Sequence, residues 1–211
     1  MLRRVAVVGL LLSAIIFSAP SQAASTADTD PAIQAPIDAL NGVLLEVMKA
    51  GATLDFVARE QKLEPVIRKV FDLRFMAQRT VGQYWNEMSE ADRGRFVDAF
   101  SRWTVATYAS NFDGYDGETF ETLGTDKSTN TVWVRTRLNL PGKDPVSLNY
   151  VMREQPNHDW QVADVFYNGS VSEITRRRSE FQGVIRAKKL DGLIAALDDK
   201  TKQLAKPKPA P

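Results

Sequence analysis

The feature that most constrains the fold is a change of hydrophobic period at the segment DGYDG, residues 113–117. Before this segment, apolar residues recur every three or four positions, as they do along one face of a helix. After it, short segments alternate apolar and polar residues, which is typical of strands with one buried face. Amphipathic helices then return near the C-terminus. This order predicts an α+β domain.

The helical half is predicted over residues 33–112. Its first helix ends at Gly51, and Pro65 is placed in the first turn of a later helix, where proline is tolerated. Ser89 followed by Asp92 resembles a helix start, and the helix behind it carries two apolar stripes. The stripes consist of Phe96, Phe100, Trp103 and Thr107, and of Val105, Tyr108 and Phe112. Two stripes predict contacts on two sides of this helix.

The alternating half, residues 118–168, contains the segments TFETLG, TVWVRTRLNL, VSLNYVMRE and DWQVADVFY with turn residues between them. In the second segment, Val132 and Leu138 fall on one face, while Trp133 and Arg135 fall on the other. This pattern predicts an antiparallel four-stranded meander with one polar and one buried face.

The junction DVFYNGSVSEITRRRSEF, residues 164–181, joins the last strand to the C-terminal helices, which are predicted over 170–205. Ser170 and Glu173 match a capping box, so the helix is expected to begin directly after Gly169. Glu173 and Arg177 are predicted to form a favourably oriented ion pair one helical turn apart. Arg178 is assigned to the apolar side of this helix. The triplet at 176–178 has two readings: ion pairs and packing within the helix, or one arginine that meets a partner protein or a lipid headgroup at a cavity rim.

The N-terminus predicts export. Arg3 and Arg4 precede an apolar run, and small residues at Ser21 and Ala23 complete a signal peptide over residues 1–23, with a membrane anchor as the alternative. The mature domain is then 24–205, followed by an extended tail over 206–211. The absence of cysteine fits a soluble protein of a bacterial periplasm. Because 27 basic and 26 acidic side chains nearly balance, a nucleic-acid partner is not expected.

Few residues in this sequence are of the types that usually carry out catalysis. His158 is the only histidine and falls in a polar turn, there is no cysteine, and no glycine-rich phosphate loop precedes a helix. Neither a metal site nor a cofactor is therefore predicted, and the sequence favours a protein that is not an enzyme. The alternative is a small enzyme of the same fold that uses Asp164 and Tyr167 on an apolar substrate, as ketosteroid isomerases use an Asp and a Tyr.

Three segments resemble a known family. They are VIRKVFDLRFMAQRTVGQYWNEMSEADRGRFVDAFSRWTVATYASNF, LNYVMREQPNHDWQVADVFYNGSVSEITRRRSEF and KLDGLIAAL. They resemble the MlaC, or toluene-tolerance, family of periplasmic lipid carriers, and the likeness covers about residues 35–200. Typical members have Gly–Val–Ser–Leu near the junction, whereas this chain has Gly–Ser–Val–Ser–Glu–Ile at 169–174. The run SVSEITRRRSEF looks more like the hopanoid-associated branch, HpnM.

The resemblance implies a twisted antiparallel four-stranded sheet, an NTF2-like cup, wrapped by helices around a deep apolar cavity that holds a hopanoid or a phospholipid. It also implies lipid transfer between the inner membrane and the outer membrane. The implied partners are an inner-membrane transporter, either an MCE/ABC complex or an RND-type exporter, and an outer-membrane acceptor.

Strand alternation and helical spacing then predict which side chains line the lipid cavity. On the sheet side these are Val132, Val134, Leu138, Leu148, Tyr150, Trp160 and Val162. On the helix side they are Phe71, Phe75, Trp85, Phe100, Trp103 and Ile174. Two alternatives remain for the same aromatic set: a dense core in an inert adaptor of an envelope complex, or the pocket of a small enzyme.

Overall fold

The computed structural model describes residues 30–129 and 131–206. The predicted signal peptide, and residues 207–211 of the predicted tail, lie outside the described residues. The helical part contains α1 (Pro31–Ala50), a short 3₁₀ turn (Gly51–Thr53), α2 (Phe56–Val70), α3 (Leu73–Val81), α4 (Tyr84–Glu87) and α5 (Glu90–Asn111). It is followed by β1 (Thr119–Lys127), β2 (Val132–Asn139), β3 (Val146–Glu154), β4 (Trp160–Tyr167), β5 (Val171–Ser172) and α6 (Glu173–Leu204).

Side-chain caps fix where the helices begin. Ser89 accepts a hydrogen bond from the backbone N–H of Asp92 at 3.1 Å, which confirms the predicted start of α5. Asp55 accepts from the N–H of Ala58 at 2.8 Å and starts α2 ten residues before Pro65. The placement of Pro65 in a first turn is therefore wrong, because it lies inside α2.

The five strands form one antiparallel sheet in the order β1-β2-β3-β4-β5. The predicted α+β class with an antiparallel meander is confirmed, but the count of four strands is wrong. The additional strand, β5, has only two residues, Val171 and Ser172, which pair with Tyr167 and Phe166. A run this short carries no alternation, so its pairing depends on the turn before it, where Gly169 has a φ of 74°.

The start of α6 differs from the prediction. Ser172, not Ser170, caps the helix by accepting from the N–H of Thr175 at 3.0 Å. Ser170 is instead part of the turn between β4 and β5. The helix is bent at Lys189, whose φ of 60° and ψ of −172° are not helical. Two helical segments therefore follow the sheet.

The main core lies between the sheet and the helices. Side chains of α1 and α2, including Ile37, Leu40 and Ile67, are fully buried and pack where α1 meets β2 and β4. At the other side, α5 packs along α6 through an aromatic group that contains Phe96 and Phe181. Across residues 30–129 and 131–206, none of the helices is long and apolar enough to cross a membrane.

Candidate functional site

A cavity of about 640 Å³ separates one face of the sheet from α3, α5 and the first turns of α6. Its helix side is formed by Phe71, Met76, Thr80, Phe100, Trp103, Thr104, Thr107, Tyr108, Asn111, Phe112, Glu173, Ile174, Arg176 and Arg177. Its sheet side is formed by Leu138, Val146, Leu148, Tyr150, Val165, Tyr167 and Val171. Most of these side chains are apolar or aromatic, and the charged ones all come from α6.

The cavity has a closed end and an open end. Phe71 and Tyr150, at the closed end, are 2% and 1% exposed. Tyr167 and Val171, at the mouth, are 52% and 47% exposed. These two residues are partners in the β4–β5 pairing, so the short fifth strand forms part of the rim. The cavity is therefore open to solvent on the β5 side.

The polar groups inside the cavity are largely satisfied by the protein itself. The hydroxyls of Thr80, Thr104 and Thr107 donate to backbone carbonyls of their own helices at 2.7, 2.8 and 2.8 Å. Their hydrogen-bonding capacity as donors is thus used within the helices. Because a ligand need not supply partners for these donors, the inner walls suit a hydrocarbon.

Aromatic rings form two groups along the helix side. Phe71 and Tyr108 meet edge to face with ring centroids 5.6 Å apart, and Tyr108 stacks on Phe112 at 5.7 Å. Phe100 and Trp103, earlier in α5, form the second group, with ring centroids 5.9 Å apart. Tyr108 and Phe112 belong to the second apolar stripe of α5, so that stripe was the sequence signal for this part of the wall.

The phenols of two tyrosines in the cavity wall have a raised pKa. Burial raises the pKa of the Tyr150 phenol, although a hydrogen bond with Thr136 acts in the opposite direction. Burial also raises the pKa of the Tyr108 phenol well above its usual value, and the neighbouring Tyr150 and Glu173 add to this effect. Part of the Tyr108 surface is accessible through the cavity, yet protein atoms surround the ring. Both phenols therefore stay neutral at physiological pH.

Arg177 crosses from α6 to the wall and is the one buried charge of the arginine triplet. Its side chain is 9% exposed, and its Nε donates to Oε1 of Glu173 at 2.5 Å. The guanidinium carbon lies 3.8 Å from the centroid of the Trp103 ring, close enough for a cation–π contact. Burial lowers the pKa of Arg177, while Glu173 and Glu180 oppose the shift. The predicted pairing of Glu173 with Arg177 is confirmed.

The other two arginines differ in position. Arg176 is exposed at the mouth and binds Glu173 through Nε and Nη2 at 3.0 and 2.9 Å. Arg178 is exposed and does not line the cavity. Its guanidinium lies against the turn after α3, 2.9 Å from the position that a Cβ of Gly82 would occupy.

The structure brings part of the predicted lining together. The predicted residues that border the cavity are Phe71, Phe100, Trp103, Leu138, Leu148, Tyr150 and Ile174. Those that do not border it are Phe75, Trp85, Val132, Val134, Trp160 and Val162. Whether the first group contacts lipid stays a prediction.

The residues away from the cavity have other neighbours. Val134 and Val162 are fully buried in the solid part of the core, where α1 lies against the sheet. Trp85 is held between Arg74 and Arg93, each 5.3 Å from its ring centroid. Strand alternation and helical spacing thus correctly predicted that these side chains point inward. They pack against other protein side chains, however, and do not border the cavity.

A β-bulge explains why Val165 and Tyr167 of β4 were not predicted to border the cavity. Tyr150 of β3 faces Val165, whereas Met152 faces Val162, so Ala163 is an extra residue in β4. One inserted residue exchanges the two faces of a strand. Beyond the bulge, the residues at the cavity are therefore Val165 and Tyr167. No pattern in DWQVADVFY indicates this insertion.

Of the two residues of the enzymatic alternative, Tyr167 borders the cavity and Asp164 does not. The carboxylate of Asp164 accepts from the N–H groups of Val165 and Ile174 at 2.8 and 3.1 Å, and from the hydroxyl of Ser172 at 2.5 Å. It joins β4 to the start of α6 and does not line the cavity. Within the described part of the chain, no three His, Cys, Asp or Glu side chains are grouped to hold a metal ion.

Comparison with known proteins gives two findings. The family model described as MlaC protein matches residues 39–199 of the chain. Among solved structures, the fold is similar to that of the phospholipid-binding protein from Ralstonia solanacearum in complex with a phospholipid, with a TM-score of 0.70 and 23% sequence identity. The match covers 85% of this chain and 100% of that chain. At this identity the likeness shows a shared fold.

Proposed function

Because the chain belongs to the MlaC family, we propose that it is a periplasmic carrier that holds a lipid in the cavity between its sheet and its helices. The observation that carries the proposal is the cavity itself, with its closed apolar end and open mouth. A volume of about 640 Å³ lies within the range of ligand-binding pockets. The structural relative in complex with a phospholipid supports a lipid as the ligand class.

The energy of hydrocarbon burial fits a carrier. Each methylene group gains about 0.8 kcal/mol on leaving water, so a sixteen-carbon chain gains on the order of 12 kcal/mol. A shallow groove would leave much of that chain in water and would present a large apolar surface when empty. A cavity with one mouth avoids both costs.

The same free energy of burial favours delivery of the lipid through direct contact with another protein. Spontaneous release of the lipid into water would be very slow, so we propose that transfer requires docking on membrane proteins. The proposed partners are an inner-membrane transporter, of the MCE/ABC or RND type, and an outer-membrane acceptor. The predicted signal peptide, residues 1–23, supports a periplasmic location.

Lipid extraction from the exported protein tests the proposal. We expect organic extraction and mass spectrometry to find close to one lipid per protein, either a phospholipid or a hopanoid. Val165→Trp places a bulky ring in the cavity and should remove most of this lipid. Val151→Trp is the matched control, because Val151 lies on the adjacent strand and faces the opposite side of the sheet.

Three results would distinguish the alternatives. Equal lipid content in the two folded tryptophan variants would contradict the cavity as the binding site. A protein without lipid whose turnover of an apolar substrate depends on Asp164 would favour the enzyme. A protein with neither lipid nor activity would favour the third alternative, an inert adaptor of an envelope complex. Circular dichroism would verify that both variants are folded.

A further inference from the structure

We propose that the C-terminal tail, residues 207–211 with the sequence PKPAP, binds back into a second pocket of its own chain. Bound there, the tail fastens the end of α6 to the first turn of α2. The second pocket shares no wall residue with the lipid cavity. The inference is therefore independent of the proposed function.

The second pocket has a volume of about 430 Å³ and lies where the start of α2 meets the ends of α5 and α6. Its wall includes Phe56, Val57, Arg59, Ser110, Leu204 and Lys206. A volume of this size lies within the range of pockets that bind small ligands or short peptide segments.

The pocket leaves apolar surface open to solvent. Val57 is 55% exposed, which is the highest value among the large apolar side chains that the structure describes. Phe56 and Leu204, in the same wall, are half-buried. A single exposed valine is ordinary on a protein surface. Beside Phe56 and Leu204 in a concave site, however, it adds to an apolar area that a docked segment would bury.

Arg59 fixes the relative position of two walls of the pocket. Its Nε donates to the carbonyl of Ala109 at 2.9 Å, and its Nη1 donates to the carbonyl of Leu54 at 2.7 Å. These bonds tie the start of α2 to the end of α5. Because the pocket is formed without the tail, docking of the tail needs little rearrangement of the protein.

The chain itself brings the tail to this pocket. The last helix ends at Leu204, and Lys206, the residue directly before the tail, belongs to the pocket wall. Five residues span about 16 Å in an extended polyproline conformation, which is enough to cross the pocket. A segment tethered so closely has an effective concentration in the millimolar range. Even a millimolar intrinsic dissociation constant would therefore keep the tail bound for about half of the time.

The composition of the tail suits an apolar groove. Three of its five residues are proline, so its backbone has little conformational freedom to lose on binding. Proline-rich segments bind aromatic-lined grooves in this way, and Phe56 supplies an aromatic ring here. The charged residues of the wall balance, since they are two acids and two bases: Asp55, Asp113, Arg59 and Lys206. The binding is therefore assigned to apolar contact and not to an excess of charge.

A spin label on the tail tests the proposal. The chain has no cysteine, so Ala210→Cys provides one labelling site in the full-length exported protein. Paramagnetic relaxation enhancement is then measured by NMR at the backbone amides. We expect strong enhancement at residues 56–59 and weak enhancement across the sheet.

Two variants at exposed apolar residues make a matched pair. Val57→Ser removes apolar contact area from the pocket without changing the net charge, and should reduce the enhancement at residues 56–59 about fivefold. Leu123→Ser is the control, because Leu123 is 41% exposed on β1 and does not line the pocket. This control should leave the enhancement unchanged. Replacing the three tail prolines with glycine alters no residue of the described part of the chain, and should also weaken the enhancement.

Three outcomes would overturn the proposal. Weak enhancement at residues 56–59 in the otherwise wild-type protein would show that the tail does not bind there. Equal enhancement in Val57→Ser and Leu123→Ser would show that the tail lies near α2 without using the pocket. Enhancement between spin-labelled molecules and separate isotope-labelled molecules in a mixture would show that the pocket binds the tail of a second copy.

Discussion

Replacing Phe181 with alanine is expected to cause a large loss of stability, because this side chain supports the wall of the cavity from behind. Phe181 is 1% exposed and does not border the cavity. It meets Phe96, Phe100 and Trp103 edge to face, with ring centroids 6.4, 6.4 and 5.8 Å apart. Two of these partners, Phe100 and Trp103, form part of the cavity wall.

The magnitude follows from the burial and from the ring contacts. Truncation of a buried phenylalanine to alanine costs about 3–5 kcal/mol, which includes the space left behind. Each edge-to-face pair is worth about 0.5–1.5 kcal/mol beyond area burial. With three such pairs and almost no exposure, we expect a loss of about 4 kcal/mol. For a urea m-value of about 2 kcal/mol/M, the unfolding midpoint should fall by about 2 M.

The assay is equilibrium unfolding in urea, followed by tryptophan fluorescence and by circular dichroism. Phe75→Ala is the matched control, because Phe75 is only half-buried and its ring lies near the surface arginines Arg153 and Arg79, at 4.9 and 5.9 Å. This control should lose about 1 kcal/mol. The lipid content of both variants is measured on the same preparations.

The reasoning would be refuted if Phe181→Ala lost less than about 1.5 kcal/mol, or no more than Phe75→Ala. Either result would mean that the rings of α5 do not depend on α6 for their packing. If the reasoning is correct, the folded Phe181→Ala protein should also hold its lipid less tightly, because Phe100 and Trp103 would gain freedom to move away from the ligand.

Two further predictions follow from the hydrogen bonds and the burial described above. Ser172→Ala removes the cap of α6 and a bond to Asp164, so thermal unfolding should show a loss of about 1–2 kcal/mol, whereas Ser170→Ala should have little effect. Because burial raises the pKa of Tyr108 and Tyr150 in the folded protein, the stability they contribute is complete below about pH 10, the ordinary tyrosine value, and is lost as pH rises above it. A phenolate absorbance titration should show late-ionising tyrosines that titrate with unfolding, and ionisation of every tyrosine in one early step would contradict this.

Local interactions made some features predictable. The cap at Ser89 involves a backbone N–H three residues away, and the ion pair between Glu173 and Arg177 spans one helical turn. Both were identified from the sequence. The predicted cap at Ser170 was wrong because β5 pairs with β4. This pairing extends the sheet past Ser170, so α6 begins only after Ser172.

The position of the cavity was not predictable in the same way. Val134 and Leu138 share one face of β2, yet Val134 packs in the solid core and Leu138 borders the cavity. Alternation shows which face of a strand is buried. It does not show whether a helix lies directly against that face, as α1 does near β2, or at a distance that leaves room for a ligand.

The amino-acid sequence by itself determined the α+β class, the meander order and the start of α5, because periodicity and capping depend on residues within a few positions of each other. The tertiary structure alone decided the register beyond the bulge at Ala163, the choice of Arg177 as the buried arginine, and which inward side chains border open space. These features depend on contacts between residues far apart in the chain. Their geometry is fixed only when sheet and helices pack together.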